Sequence, residues 1–363
     1  MVLALLSTVL VGTARPANLV GCAPLLETHV PSLIIAEIGV NHNGDTDRAR
    51  EMVTRARSAG ADVVKFQTYR TDSVISRNAP KAAYQNRNTP QELSQRDMVR
   101  ALELSPEAHQ ELVTHCQSQG IEFLSTAFDL ESLKLLKSLG LARFKIPSGE
   151  ITNLPLLRAL SDCHSPLLLS TGMATLGEIE RAIAVIEDRG VSRDSITILQ
   201  CTTEYPAPAS DVNLRAMVNL GRIFGVRYGL SDHTMGWEVA VAAVALGASV
   251  IEKHFTLDRS LPGPDHQASL EPKELAEMVR CIRNVEAALG DGIKRVADSE
   301  AANLRIARRS IVAARSIAKG DVFTEDNLAV KRPGGGISPM RWDEVLGRVA
   351  VRDFKMDDQI ELE

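Results

Sequence analysis

Eight short apolar runs rich in β-branched residues recur along the chain from Leu33, and their alternation with helical patterns limits the possible folds more than any other feature. The runs lie at 33–38, 62–66, 121–125, 142–146, 166–171, 195–201, 225–231 and 249–254. Between and after them, apolar residues fall at helical spacing over 47–59, 106–119, 130–139, 176–188, 237–246 and 272–289. Several of these helices open on a capping residue or an early proline and close near a glycine, as from Ser105-Pro106 to Gly120. Such alternation marks parallel βαβ units. Eight of them within about 250 residues is the arithmetic of an α/β fold, a (β/α)8 TIM barrel. A doubly wound open sheet is the alternative, but no GxGxxG follows the first run.

On this reading the barrel occupies 33–290, a charged, glycine-containing linker 291–304, and a small, mostly β module 305–363. The polar stretch 71–104 is too long for an ordinary βα loop and is expected to be a lid or an edge of the site. Residues 1–32 form a leader, disordered or a mis-assigned start. Its Leu19-Val20-Gly21-Cys22 looks like a lipoprotein cleavage box, yet no Lys or Arg precedes the apolar run, as a signal peptide requires. The five cysteines are odd in number, far apart and without a CxxC pair, which points to reduced thiols and a cytoplasmic enzyme. A net charge of −5 with scattered Lys and Arg leaves no footprint for nucleic acid. No stretch reaches the roughly 18 apolar residues of a membrane span.

Active-site groups of such a barrel come from the C-terminal ends of its strands. Those ends read Glu37, Lys65 and Gln67, Thr126, Lys145 with Ser148, Ser170 with Thr171, Thr202 to Tyr205, Ser231 to His233, and Lys253 with His254. Lysines and hydroxyls converging on one cavity suit a phosphate ester, whose oxygens need positive charge and many donors. One Ser or Thr alone would be read as a cap; the set is not. Glu37 ends an otherwise apolar strand. It is either a general base or metal-side carboxylate, or a structural partner of Lys65 across the barrel. His233 and His254 stand one βα unit apart, on adjacent strands, with Asp232 and Asp265 near them in sequence. Two imidazoles suit Mn, Zn, Fe, Co or Ni in an open, catalytic cation site.

The segments IAEIGVNHNGD, VVKFQTY, FLSTAFD, FKIPSGEITNLPLL, LSTGMAT, LQCTTEYPAP, YGLSDHTMG, IEKHFTLDRSLPGPDHQASLEP and KRPGGGISPM occur in that order. From Leu33 to the C-terminus the chain therefore resembles the N-acylneuraminate (sialic acid) synthase family. The resemblance implies a TIM barrel followed by a SAF (antifreeze-like) domain, and a transferase that condenses phosphoenolpyruvate with an N-acylmannosamine-type sugar and releases phosphate. It implies a divalent cation, Mn first with Mg or Co as alternatives, held by His233 and His254. Phosphoenolpyruvate would be held by Lys65, Thr126, Lys145, Ser148, Ser170 and Ser231. The sugar would meet Glu37, Tyr205, Asp265 and Arg332, the last supplied by the SAF domain of a partner in a domain-swapped homodimer. Thr203 stands where some members have Asn, which bears on the contact made there. Glu37, Lys65 and Lys145 are the expected catalytic groups, Glu37 managing the proton of the water that adds to carbon 2. The favoured acceptor is N-acetylmannosamine, giving N-acetylneuraminate. A legionaminic or other nonulosonic acid synthase, a phosphorylated sugar acceptor, and a non-catalytic sugar- or phosphate-binding protein are the alternatives.

Overall fold

The computed structural model describes residues 30–90 and 92–363. The expected leader, including its Cys22 box, lies outside the described residues except for 30–32, where Ser32 already bonds to Glu286 and Ala248 at the base of the barrel. Two compact units divide the chain between Asp291 and Gly292.

In the first unit eight strands, β1 (Leu33–Gly39), β2 (Val63–Thr68), β3 (Glu122–Ala127), β4 (Phe144–Ile146), β5 (Leu167–Ser170), β6 (Ile196–Cys201), β7 (Arg227–Asp232) and β8 (Val250–His254), close in sequence order into a parallel barrel. β8 returns to β1 in a register that runs from Leu33 opposite Val250 to Glu37 opposite His254. The expected barrel is therefore the observed one, each strand beginning or ending within a few residues of its apolar run. Alternate residues of a strand point to opposite faces. Ile35, Val63, Leu124, Leu168, Leu199 and Val250 fill the interior as one apolar layer. Burying each such side chain is worth about 1.5–3 kcal/mol. The next inward positions along the chain are Glu37, Lys65, Thr126, Ser170, Cys201 and Glu252, so a charged and hydroxylated layer sits directly on an apolar one.

The helices pack the outward residues. α1 (Thr46–Ser58) follows β1, capped by Asp45, whose carboxylate accepts from the Arg48 N–H. The stretch 71–104, expected to be a lid or an edge of the site, carries three short helices, α2 (Thr71–Val74), α3 (Ala83–Asn88) and α4 (Gln95–Ala101). Ser94 caps α4 through a bond from the Asp97 N–H, which lets a polar segment stay helical. Then come α5 (Pro106–Gln119), α6 (Leu130–Ser138), α7 (Leu154–Ser161), α8 (Leu176–Asp188), α9 (Leu214–Phe224), α10 (Glu238–Ala245) and α11 (Pro272–Leu289). α5 shows the asymmetry legible in its sequence: Ser105 caps it, Pro106 opens it, and Gly120 ends it at φ 64°. No described helix is long and apolar enough to cross a membrane.

The second unit begins with α12 (Asp298–Ala307), so the expected linker 291–304 is partly helical. β9 (Ser310–Ala313) and β10 (Leu328–Lys331) pair antiparallel, followed by α13 (Trp342–Val345). Ile311, Ile317, Phe323, Leu328, Val345 and Phe354 form its core, and isolated bridges such as Ile317 to Phe354 extend the β character.

Candidate active site

The charged layer opens into a cavity of about 360 Å3 at the C-terminal ends of the strands. The barrel residues assigned to catalysis, substrate or metal all line it: Glu37, Lys65, Thr126, Lys145, Ser148, Ser170, Thr203, Tyr205, Ser231, His233, His254 and Asp265. Arg332 belongs to the second unit, where it is exposed. The insertion lines the cavity too, through residues of α2, α3 and α4.

Four charges interlock on the floor. Lys65 Nζ lies 3.0 Å from Glu37 Oε2 and 3.5 Å from Glu252 Oε1, and donates to Thr126 Oγ1 at 3.2 Å. Lys145 donates to both Glu252 oxygens at 2.9 Å, and Ser231 donates to Oε1 at 3.0 Å. The Glu37–Lys65 ion pair weighed as a structural role for Glu37 is thus present, within a larger network. Burial works against the Glu252 charge, but Lys145 and Lys65 outweigh it and hold this carboxyl well below the usual range. Glu37 differs: burial, reinforced by the Glu252 charge, overrides Lys65 and raises it to about 7. Two carboxyls in one site are thereby pushed apart, one a fixed counter-ion and the other able to exchange a proton near neutral pH. Gly39, at φ 55°, lets the chain turn here, and a Cβ would meet Glu37 Oε1 at 3.1 Å.

Hydroxyls complete the floor. Ser148 Oγ accepts from the Gly172 N–H at 2.9 Å, which fixes its position. Ser170 Oγ is buried with no partner, a donor left for a ligand oxygen.

His233 and His254 face each other, ring centroids 5.2 Å apart, with Tyr205 stacked on His233 at 4.1 Å and Tyr84 of α3 5.0 Å from Tyr205. His233 Nδ1 lies 2.6 Å from the Thr202 carbonyl, which can only accept, so Nδ1 carries a proton and Nε2 is the nitrogen left for a ligand. His254 Nδ1 is buried without a hydrogen bond, 4.0 Å from Asp265 Oδ2. Burial, with the charges of His233 and Lys65, holds His254 well below its ordinary value and so neutral. Burial raises Asp265 to about 6. Among the described residues no group of three or more His, Cys, Asp and Glu converges as a complete metal cage. Two imidazoles, one with Nδ1 committed to a carbonyl and the other with a buried, unbonded Nδ1, fit a cation that takes its remaining ligands from water and substrate.

Among the strand-end groups that prove not to belong are Thr171, whose hydroxyl donates to the Leu199 carbonyl, Thr202, whose hydroxyl donates to the Asp211 carbonyl, and an ion pair. Asp232 and Lys253 point to the outside of the barrel, where Lys253 Nζ donates to Asp232 Oδ2 at 2.8 Å and to the Thr234 carbonyl at 2.5 Å. Two-residue periodicity is the reason: in Ile251-Glu252-Lys253-His254, Glu252 and His254 share the inward face and Lys253 takes the other. Glu252, passed over in the sequence, is the central counter-ion, and the same periodicity was the signal for it.

A model of the NeuB family matches residues 52–294 and one of the SAF domain matches 308–362. The chain is 53% identical over 329 residues to the N,N'-diacetyllegionaminic acid synthase of Campylobacter jejuni, covering 91% of this chain and 98% of that one. To the enzyme of the same name from Legionella pneumophila it is 47% identical over 316 residues, 86% and 89% of the two chains. Its structure is similar to that of the N-acetylneuraminic acid (sialic acid) synthetase of Leptospira borgpetersenii solved with citrate, with a TM-score of 0.66, 33% identity, and 76% and 91% of the two chains covered.

Proposed function

The chain belongs to the NeuB family, and we propose that it condenses phosphoenolpyruvate with an N-acylated hexosamine carrying two acetamido groups, giving a nine-carbon nonulosonic acid and phosphate. One observation carries the reaction class: Lys65, Lys145 and an unpartnered Ser170 hydroxyl share a cavity with a carboxyl poised near neutrality and an open histidine pair. The acceptor is supported by the identities of 53% and 47% to two diacetyllegionaminic acid synthases. N-acetylmannosamine, first on the sequence alone, becomes the second reading, favoured by the 33% identity to a sialic acid synthetase.

Lys65, Lys145, Thr126, Ser148, Ser170 and Ser231 bind the phosphate and carboxylate of phosphoenolpyruvate and orient its carbon 3 toward the sugar aldehyde. Thr203, Tyr205 and Asp265 hold the open-chain sugar. His233 and His254 would hold a divalent cation, Mn first, which when bound supplies Lewis acidity to the aldehyde oxygen. A bond forms between carbon 3 and the aldehyde carbon, whose oxygen takes up a proton. Water adds at carbon 2 and gives one proton to Glu37, and the tetrahedral adduct collapses with cleavage of the bond between carbon 2 and the phosphate oxygen, the remaining hydroxyl proton leaving with the phosphate as carbon 2 becomes the ketone. Arg332 completes the sugar site from the SAF domain of a second copy. The activity is assigned to the cytoplasm, supported by free Cys116, Cys163, Cys201 and Cys281. The test is phosphate release and product mass from phosphoenolpyruvate with N-acetylmannosamine, its 6-phosphate, and a 2,4-diacetamido hexose. A product retaining both acetamido groups is expected; no phosphate release with any of the three refutes the reading.

A further inference from the structure

α4 turns one face to the cavity. Gln95, Met98, Val99 and Leu102 recur at helical spacing and all four line the wall. The opposite face is tied down elsewhere, Arg96 and Arg100 both pairing with Asp72 of α2. Tyr69 donates its hydroxyl to the Val99 carbonyl at 3.1 Å, which fixes the helix against the end of β2. Val74 and Ile75 continue the apolar wall.

Gln95 is the polar exception in this stripe. Its Oε1 is buried and has no donor. A buried carbonyl left unpaired is costly, so its partner has to come from whatever fills the cavity. Phosphoenolpyruvate cannot supply it, because its oxygens are anionic acceptors and belong on the lysine floor. A lone hydroxyl could donate, but would leave the Met98, Val99 and Leu102 surface facing water. An acetamido group offers both an N–H and, beside it, a methyl. The reacting carbon, with the acetamido group next to it, must lie over the strand ends near Glu37, His233 and His254. α4 lines the same cavity from the insertion after β2 rather than from a strand end, which leaves it the part of the sugar that the strand-end groups do not take.

We propose that the α4 face is the pocket for a second acylamino substituent on the acceptor, Gln95 accepting its N–H while Met98, Val99 and Leu102 take its methyl. This assignment rests on the reading of the site as one for an N-acylated hexosamine. It makes Gln95 a specificity-determining residue that takes no part in the chemistry.

The experiment compares the full-length protein with Gln95→Leu, which keeps volume and helix preference and removes the amide. Each is assayed for phosphate release with a 2,4-diacetamido hexose and with N-acetylmannosamine, and unfolding midpoints are compared. KM for the doubly acetylated sugar is expected to rise about ten-fold, the loss of one hydrogen bond that leaves its partner unpaired. kcat, KM for phosphoenolpyruvate, and KM for N-acetylmannosamine should stay within about two-fold of the original. Equal losses on both acceptors, no loss on either, or a wild-type preference for N-acetylmannosamine overturns the inference while leaving the reaction class standing. Failure of the wild-type protein to release phosphate with either sugar overturns both.

Discussion

Replacing Glu252 by Gln removes one charge from the cavity floor while keeping shape and one acceptor oxygen. The loss can be sized from the geometry. Both Glu252 oxygens lie 2.9 Å from Lys145 Nζ, and one lies 3.5 Å from Lys65 Nζ. At an effective dielectric of about 20, unit charges about 3 Å apart attract by about 5 kcal/mol. Desolvation offsets much of this, and removing one partner of a buried pair costs about 3–5 kcal/mol in practice. For a unit of this size that corresponds to a fall of about 6–20 °C in the unfolding midpoint. Phosphoenolpyruvate brings its own negative charge to the same lysines, so it should raise the midpoint of Glu252→Gln by more than that of the wild type at equal saturation. Scanning calorimetry with and without phosphoenolpyruvate measures both quantities. A fall below about 2 °C, together with equal stabilisation by ligand in both proteins, would refute the reasoning that Glu252 is the counter-ion of the two lysines.

Glu37, raised by burial to about 7, must be ionised to act as a base, so kcat/KM should climb through a limb near pH 7 and level off above it. Glu37→Gln should abolish that limb and cost about 10²- to 10⁴-fold in kcat; a near-normal rate would sink the role. Stability should move the other way. A carboxyl raised from 4.5 to about 7 favours the folded state while protonated, a contribution present below pH 4.5 and lost as pH rises through 7, which urea titrations across that window can detect. EDTA should stop phosphoenolpyruvate consumption and Mn restore it, whereas His254→Ala should stay inactive at Mn levels that saturate the wild type. If Arg332 acts in the site of a second copy, mixing inactive Arg332→Ala with inactive Glu37→Gln should regain about one quarter of wild-type activity through mixed dimers with one intact site. No recovery after subunit exchange would place Arg332 elsewhere.

The barrel was legible because parallel strands buried on both faces read as near-continuous apolar runs, and each run ended where a polar group entered the cavity. A carboxylate at Glu37 or a lysine at Lys145 stands out against such a run, since burying it is costly without a purpose. Charged neighbours were harder. Asp232, Lys253 and Glu252 lie within two short segments, and proximity in sequence put the wrong members together; only the alternation of faces separates the outward pair from the inward carboxylate. The α4 wall was hidden for another reason. Its Arg96, Asp97 and Arg100 give the segment the composition of a loop, and the cavity-facing residues emerge only once the segment is helical. Arg332 sits in a separate unit, and neither the strand pattern nor the cavity could locate it.

β8 is held in register by β1 on one side and β7 on the other. Adding or deleting one residue there would exchange Lys253 for Glu252 at the floor and leave an ammonium where the two lysines need a carboxylate. The insertion that carries α4 has no such constraint, because it enters and leaves between elements and answers to no strand partner. Divergence can therefore reshape the wall that meets the sugar by changes in length as well as in side chain, while the floor can change only by substitution. New acceptors should arise in this scaffold through the segment after β2, with the chemistry at the strand ends inherited intact.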